Sequence, residues 1–221
     1  LDEKKLIQNK YEITLPLREV RNSLKLNRED HIANADLLDL MRRVRCFGIN
    51  LARLDIRQEA DRHSKLLNEL FRKKYNIKYN SLSEKEKIKL LNKLIKEKKY
   101  FVDRIKITNK ENKEVWNTFK QISKTPNECL GAYVISMTST ASDILSVYFL
   151  QIQAKIKNFL RVVPLFETLD DLKNANSVMK NLFKLSWYRK MTSAKQEVMI
   201  GYSDSSKDAG KLSASWHQYK L

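Results

Sequence analysis

Residues 36–46 (DLLDLMRRVRC) carry apolar side chains at helical spacing, and Gly48 ends the pattern. Residues 50–57 (NLARLDIR) alternate apolar and polar, the period of a half-buried strand. A long helical pattern follows over 58–74. Beyond it lies a charged stretch in which Lys, Glu and apolar residues interleave, as in EKEKIKLLNKLI at 84–95, the mark of amphipathic helices with a wet face. Three more short apolar runs, 132–137 (AYVISM), 162–166 (VVPLF) and 197–202 (EVMIGY), are followed by helical patterns at 142–157, 169–183 and 209–219. Strand–helix alternation of this kind predicts parallel strands joined by crossover helices. The predicted fold class is α/β, mostly helical: a partial (β/α)8 TIM-type barrel with long helical insertions, of which four strand–helix units make about half. A half-barrel leaves two open edges, so closure is expected to need further sequence. Only four glycines and three prolines punctuate the chain. It therefore reads as a single partial domain over 1–221, with a Lys-rich helical insertion at 65–124.

Composition narrows the class. With 42% hydrophobic and 31% charged residues, the 221-residue chain suits a soluble globular protein with a substantial core. No apolar run approaches the roughly 20 residues of a membrane span, and no secretory signal opens the chain. A first residue of Leu1 hints at a fragment. The two cysteines, Cys46 and Cys129, lack metal-ligand spacing and read as buried free thiols in a reducing compartment. A net charge of +17 admits two readings, a nucleic-acid or anionic-membrane partner or simply a solvated Lys-rich surface. The charges alternate with Glu and apolar residues at helical spacing, and no aromatic-interleaved basic motif accompanies them, which favours solvated surface.

Candidate chemistry gathers at the carboxyl ends of the predicted strands, where barrel enzymes build their sites. These ends carry Arg57 and Glu59, Ser136, then Glu167, Asp170 and Asp171, and finally Ser203, Asp204, Lys207 and Asp208. Carboxylates beside an arginine suggest a hard, oxygen-preferring cation such as Mg2+ or Mn2+, with substrate and water completing its shell. The three histidines, His31, His63 and His217, are not paired at ligand spacing, which argues against zinc. Each feature has a plainer alternative. Arg57 could pair with Glu59, and Glu167, Asp170 and Asp171 could be helix N-terminal acids. The polar run 201–210 (GYSDSSKDAG) reads as a turn after an apolar strand, and so polar a loop in a helical chain tends to be functional.

Several runs together resemble the bacterial phosphoenolpyruvate carboxylases: IANADLLD at 32–39, RCFG at 45–48, LDIRQE at 54–59 with Arg62-His63 behind it, AYVISM at 132–137, PLFETLDDL at 164–172, and VMIGYSDSSKDAG at 198–210. The last is a specific family signature. The resemblance runs from about residue 30 onward, weakens across the Lys-rich middle and keeps its order. It implies metal ligation by Glu167 and Asp204, with Mg2+ or Mn2+ as cofactor. Arg57 would bind the phosphate of phosphoenolpyruvate, Lys207 would serve bicarbonate use, and Leu165 and Met199 would line an apolar pocket for carbon dioxide, core packing being the alternative for the last two. It implies a cytoplasmic carboxy-lyase making oxaloacetate to replenish four-carbon acids, working as a homo-oligomer (a tetramer), with no nucleic-acid or membrane partner. The family's catalytic histidine motif (Thr-Ala-His-Pro-Thr) and mobile Gly-Arg-Gly-Gly loop have no counterpart in the chain. Ala35 stands where glycine is usual and Ala60 where serine is. The chain alone is therefore expected to be inactive. Two rivals stand beside this reading: a basic nucleic-acid-binding or scaffold protein, and another metal-dependent barrel acting on pyruvate or phosphoenolpyruvate.

Overall fold

Eleven α-helices and four strands make up the described residues, 7 and 9–220, of the computed structural model. They fall into two compact units. The first comprises Leu1–Leu54 with Pro126–Gly131. Its helices are α1 (Tyr11–Leu26), α2 (Asp30–Ala33) and α3 (Asp36–Phe47). Arg21 ties α1 to the end of α2, donating from Nε to the Ala33 carbonyl at 3.1 Å and from Nη2 to Asn34 Oδ1 at 2.7 Å. Ala33 and Val44 are buried here, whereas α1 buries none of its residues. Gly48 ends α3 with a φ of +64°, a left-handed cap that glycine adopts without steric cost. The cysteines correct an expectation. Both are free, but Cys46 is exposed and Cys129 only half-buried, because Val44 rather than Cys46 holds the inward position on α3.

The second unit comprises Asp55–Thr125 and Ala132–Leu221. Its elements run β1 (Leu54–Glu59), α4 (Ala60–Tyr75), α5 (Glu84–Glu97), α6 (Lys110–Lys124), β2 (Leu130–Ser136), α7 (Ala141–Gln153), β3 (Arg161–Phe166), α8 (Leu169–Phe183), α9 (Ser186–Met191), β4 (Met199–Ile200), α10 (Tyr202–Ala209) and α11 (Lys211–Lys220). The strands lie in the order β1-β2-β3-β4. β2 and β3 are parallel, with Val134 opposite Val163, and β3 and β4 are parallel, with Leu165 opposite Met199. Helical crossovers between neighbouring parallel strands are the arrangement the alternating sequence pattern predicts.

Strand alternation gives the sheet two faces. On one, Ala132, Val134, Val163 and Leu165 form an apolar cluster against which Met199 packs. The other meets helices: Tyr133, fully buried, stacks on Phe119 of α6 with centroids 5.2 Å apart and lies 5.6 Å from the His63 ring of α4. Every residue of α7 is buried. Its polar members are satisfied in place: Gln151 accepts from the Leu160 N–H at 2.7 Å, and Gln153 from the Phe101 N–H at 2.9 Å.

The Lys-rich stretch is helical, as predicted, and it buries a core of its own through Leu66, Leu67, Leu70, Phe71, Leu91, Val115, Trp116 and Phe119. Each such side chain contributes roughly 1.5–3 kcal/mol when fully buried. Some of its cations are tied locally, Lys65 to Asp61 at 2.7 Å and Lys73 to Glu69 at 2.6 Å. Burial disfavours the charged form of Glu69, but hydrogen bonds from Asn112, Lys73 and Thr108 outweigh it and hold the carboxyl at about 2. Among the described residues no helix is long and apolar enough to cross a membrane.

Several boundaries differ from the sequence reading, among them the end of α7, at Gln153 rather than 157. β1 begins at Leu54 rather than residue 50, since Leu51 is 83% exposed and its alternation faces solvent. β4 is two residues long, not six. The polar run expected to be a turn is helix α10, capped by Gly201 at its start and by Gly210, at a φ of +76°, at its end.

Candidate active site

Glu167 directly follows β3, and its surroundings fix it from two sides. Its Oε2 accepts a hydrogen bond from the Met137 backbone N–H at 2.8 Å. Met137, leaving β2, takes a left-handed φ of +54°, which is uncommon for a side chain of its kind. From the other side comes Gly201, whose N–H donates to the Phe166 carbonyl at 2.9 Å. A Cβ on Gly201 would lie 3.0 Å from Glu167 Cγ and 3.1 Å from its Cα, so a larger residue would crowd Glu167 and glycine gives the closest approach.

The neighbouring acids have other work. Asp171 belongs to the capping box of α8: Thr168 Oγ1 accepts from the Asp171 N–H, and Asp171 Oδ2 accepts from the Thr168 N–H, each at 3.1 Å. Asp170 is exposed and lies 3.6 Å from Lys173. The plainer alternative therefore holds for Asp170 and Asp171 but not for Glu167.

Helix α10 carries Asp204 in its first turn and Lys207 in its last, both exposed. Other residues of the run anchor it. Ser205 is buried and its hydroxyl accepts from Gln218 Nε2 at 2.7 Å, while Ser206 Oγ donates back to the Tyr202 carbonyl at 2.8 Å. Asp208 Oδ2 accepts from the Leu169 N–H at 2.9 Å, joining α10 to the start of α8.

Arg57 on β1 points to the same group of strands. Its Nη2 donates to Met199 Sδ at 3.2 Å rather than to Glu59. Met199 pairs in register with Leu165, which is 4% exposed. Arg57, Met199 and Leu165 thus form a continuous contact, with Glu167 two residues beyond Leu165 and Gly201 two beyond Met199. Lys207 makes no hydrogen bond to any of them among the described residues.

Behind β1 lies a polar chain that motif reading does not find. Tyr133 Oη donates to Gln58 Oε1 at 2.6 Å and lies 2.8 Å from His63 Nε2. His63 is fully buried, and burial together with the Arg62 charge lowers its pKa to about 3, so the ring is neutral. Its Nδ1 has no hydrogen-bond partner. These residues lie 70 or more positions apart in pairs with Tyr133, and only tertiary packing joins them. Nor does sequence reveal the roles of Met137 and Gly201, because both act through the backbone.

The donors fit a hard cation better than a soft one. Carboxylates are the ligating groups at hand, and no group of three or more His, Cys, Asp or Glu converges among the described residues. The Met137 N–H occupies one oxygen of Glu167 and leaves Oε1 available. A cavity of 490 Å3 lies elsewhere, lined by Phe159, Arg161, Met191 and Lys195 on the approach to β3 and β4.

A family model described as phosphoenolpyruvate carboxylase matches residues 1–221. The chain is 46% identical over 215 residues to the phosphoenolpyruvate carboxylase of Escherichia coli O1:K1 / APEC, covering 97% of this chain and 24% of that protein. The enzymes of the same name from Escherichia coli strain K12 / DH10B and from Shigella boydii serotype 18 show the same identity and coverage. The chain thus spans about a quarter of the length of the curated relatives it matches. With the Gly201–Gly210 helix and the Glu167 cradle in place, and a match along its whole length, the chain belongs to the phosphoenolpyruvate carboxylase family.

Proposed function

We propose that the chain forms about half of the (β/α)8 barrel of a phosphoenolpyruvate carboxylase and supplies part of its active site. The reaction is the carboxylation of phosphoenolpyruvate with bicarbonate to give oxaloacetate and phosphate. The observation that carries this reading is the contact of Arg57 with Met199, which pairs with Leu165 near the carboxyl end of β3, while Glu167 follows that strand and Asp204 lies in the first turn of the helix after β4. Sheets of this type build their sites at that end.

Each residue then has a task suited to its chemistry. Glu167 and Asp204 would hold a divalent ion, Mg2+ or Mn2+, which when bound stabilises negative charge developing on the substrate's enolate oxygen. The Met137 N–H fixes Glu167 by one oxygen and so presets the other. Arg57 would grip the phosphoryl oxygens through its planar donor fork while bicarbonate attacks phosphorus and the enol-ester P–O bond breaks. Lys207 would attract bicarbonate. Leu165 and Met199 give an apolar wall that keeps water from the enolate carbon until carbon dioxide, freed from carboxyphosphate, is attacked there.

For the complete enzyme this reading gives a cytoplasmic homotetramer that replenishes four-carbon acids. This chain carries only some of the reacting groups and is expected to be inactive by itself. The local pairing of Lys65 and Lys73 favours a solvated basic surface over a nucleic-acid face. Asp204 is exposed and its replacement costs little packing. In the complete enzyme Asp204→Asn should therefore keep the fold by circular dichroism and abolish metal-dependent turnover. Full activity at ordinary Mg2+ would refute the ligand role.

A further inference from the structure

Arg57 is exposed, and the one hydrogen bond it makes among the described residues goes to a thioether sulfur, a weak acceptor. Such a contact does not hold a guanidinium in place. Its aim must come from the backbone of β1, which lies beside β2 in the strand order. Two side chains on the same strand tie it there. Asp55 Oδ1 accepts from the Ala132 N–H at 2.6 Å, and Gln58 Oε1 accepts from Tyr133 Oη at 2.6 Å. Gln58 Nε2 also donates to Thr118 Oγ1 on α6 at 3.3 Å.

The proton count along this chain is determined. A carboxamide oxygen only accepts, so the Tyr133 hydroxyl spends its single proton on Gln58. The 2.8 Å contact to His63 Nε2 then requires that nitrogen to be the donor, which leaves Nδ1 as a buried acceptor without a partner. An unpaired buried acceptor is a standing cost, and an apolar side chain at 63 would avoid it. What the histidine provides in return is direction. It makes the hydroxyl of Tyr133 point toward Gln58 and nowhere else.

We infer that His63, Tyr133 and Gln58 are positioning residues for Arg57: a buried, one-way hydrogen-bond chain behind the sheet pins β1 so that the next side chain along it faces the substrate's phosphate. This rests on the phosphate-binding reading of Arg57 given above. Successive side chains of a strand face opposite ways, so anchoring Gln58 toward the helices commits Arg57 to the other face. A slip of one residue would turn Arg57 into the helical layer.

The test uses the complete enzyme with Tyr133→Phe, which keeps the ring stacked on Phe119 and removes only the hydroxyl. The KM for phosphoenolpyruvate should rise about tenfold, within the loss that ångström-scale misplacement of a binding group produces. The KM for bicarbonate should not change, and kcat should stay within about twofold, as expected when ground-state binding is what suffers. Arg57→Gln should raise the same KM by more, and adding Tyr133→Phe to it should cost nothing further, the non-additivity of residues acting through one group. If Tyr133→Phe fails to fold, Gln58→Met, which leaves the His63–Tyr133 contact in place, should give the same selective shift. A loss of melting temperature with an unchanged KM for phosphoenolpyruvate, or additive effects in the double variant, would overturn the inference while leaving the role of Arg57 intact. An Arg57→Gln enzyme with an unaltered KM would overturn the phosphate-binding reading, and this inference with it.

Discussion

Behind the sheet, His63, Tyr133 and Phe119 are sealed from solvent, whereas Arg57 on β1 and Asp204 and Lys207 on α10 stand exposed. The hidden groups are held by aromatic stacking and by hydrogen bonds whose directions admit one arrangement. Among the described residues the exposed charges have few partners. The difference separates two kinds of order. Packing and directed hydrogen bonds set the backbone in advance, whereas the exposed charges, on the proposed reading, would be completed by the anions and cation they bind. Glu167 is the intermediate case, half-buried and cradled by Met137 and Gly201 yet open on one oxygen.

The contrast can be broken from either side. The largest effect should come from Phe119→Ala, which removes the ring under Tyr133 at a fully buried site. It should cost about 4 kcal/mol of local stability, read as faster hydrogen exchange of the β2 and α6 amides in the complete enzyme. Next comes Gly201→Val. Its Cβ would lie 3.0 Å from Glu167 Cγ and 3.1 Å from its Cα, tighter than most real contacts, so the carboxylate must shift by a few tenths of an ångström, and the branched methyls add to the crowding. Turnover should fall about a hundredfold, or about 3 kcal/mol, with less change in exchange protection than Phe119→Ala causes.

The smallest effect is a pH dependence. The pKa of His63 falls from 6.5 unfolded to about 3 folded, so between those values the unfolded chain binds more protons. Stability contributed by the neutral ring is present above pH 6.5 and is lost as pH falls toward 3. By pH 5 the loss should reach about 2 kcal/mol, at 1.4 kcal/mol per pKa unit. A His63→Gln variant should lack that acid sensitivity in the same exchange measurement. An identical acid slope in both proteins would show that His63 does not titrate on unfolding.

Sequence pattern located what local chemistry controls. The start of α8 follows from its Thr168–Asp171 capping box, and the expected ends, 169 and 183, are the observed ones. Arg57 and Glu167 stood out because strand ends are visible as breaks in alternation. Where tertiary contacts decide, the pattern misled. The alternation at 50–53 mimics a strand but leaves Leu51 in solvent. The polar run at 201–210 looks like a turn, and it is helical because two glycines bracket it and Ser205 finds a buried partner in Gln218. Helix α1 escaped notice because it buries no side chain and carries Pro16 inside it. Tyr133 looked like one more apolar strand residue, since nothing local marks a hydroxyl that works against a glutamine on another strand.

The clasp between Asp208 and the Leu169 amide has its own consequence. It couples the helix bearing Asp204 to the segment that follows Glu167, so the two acids cannot drift apart without breaking a charge-assisted bond. On the proposed metal reading, damage to the fingerprint decapeptide would then read out as lost metal affinity even at positions that never touch the ion. Much of what looks like reactive machinery in that stretch is joinery.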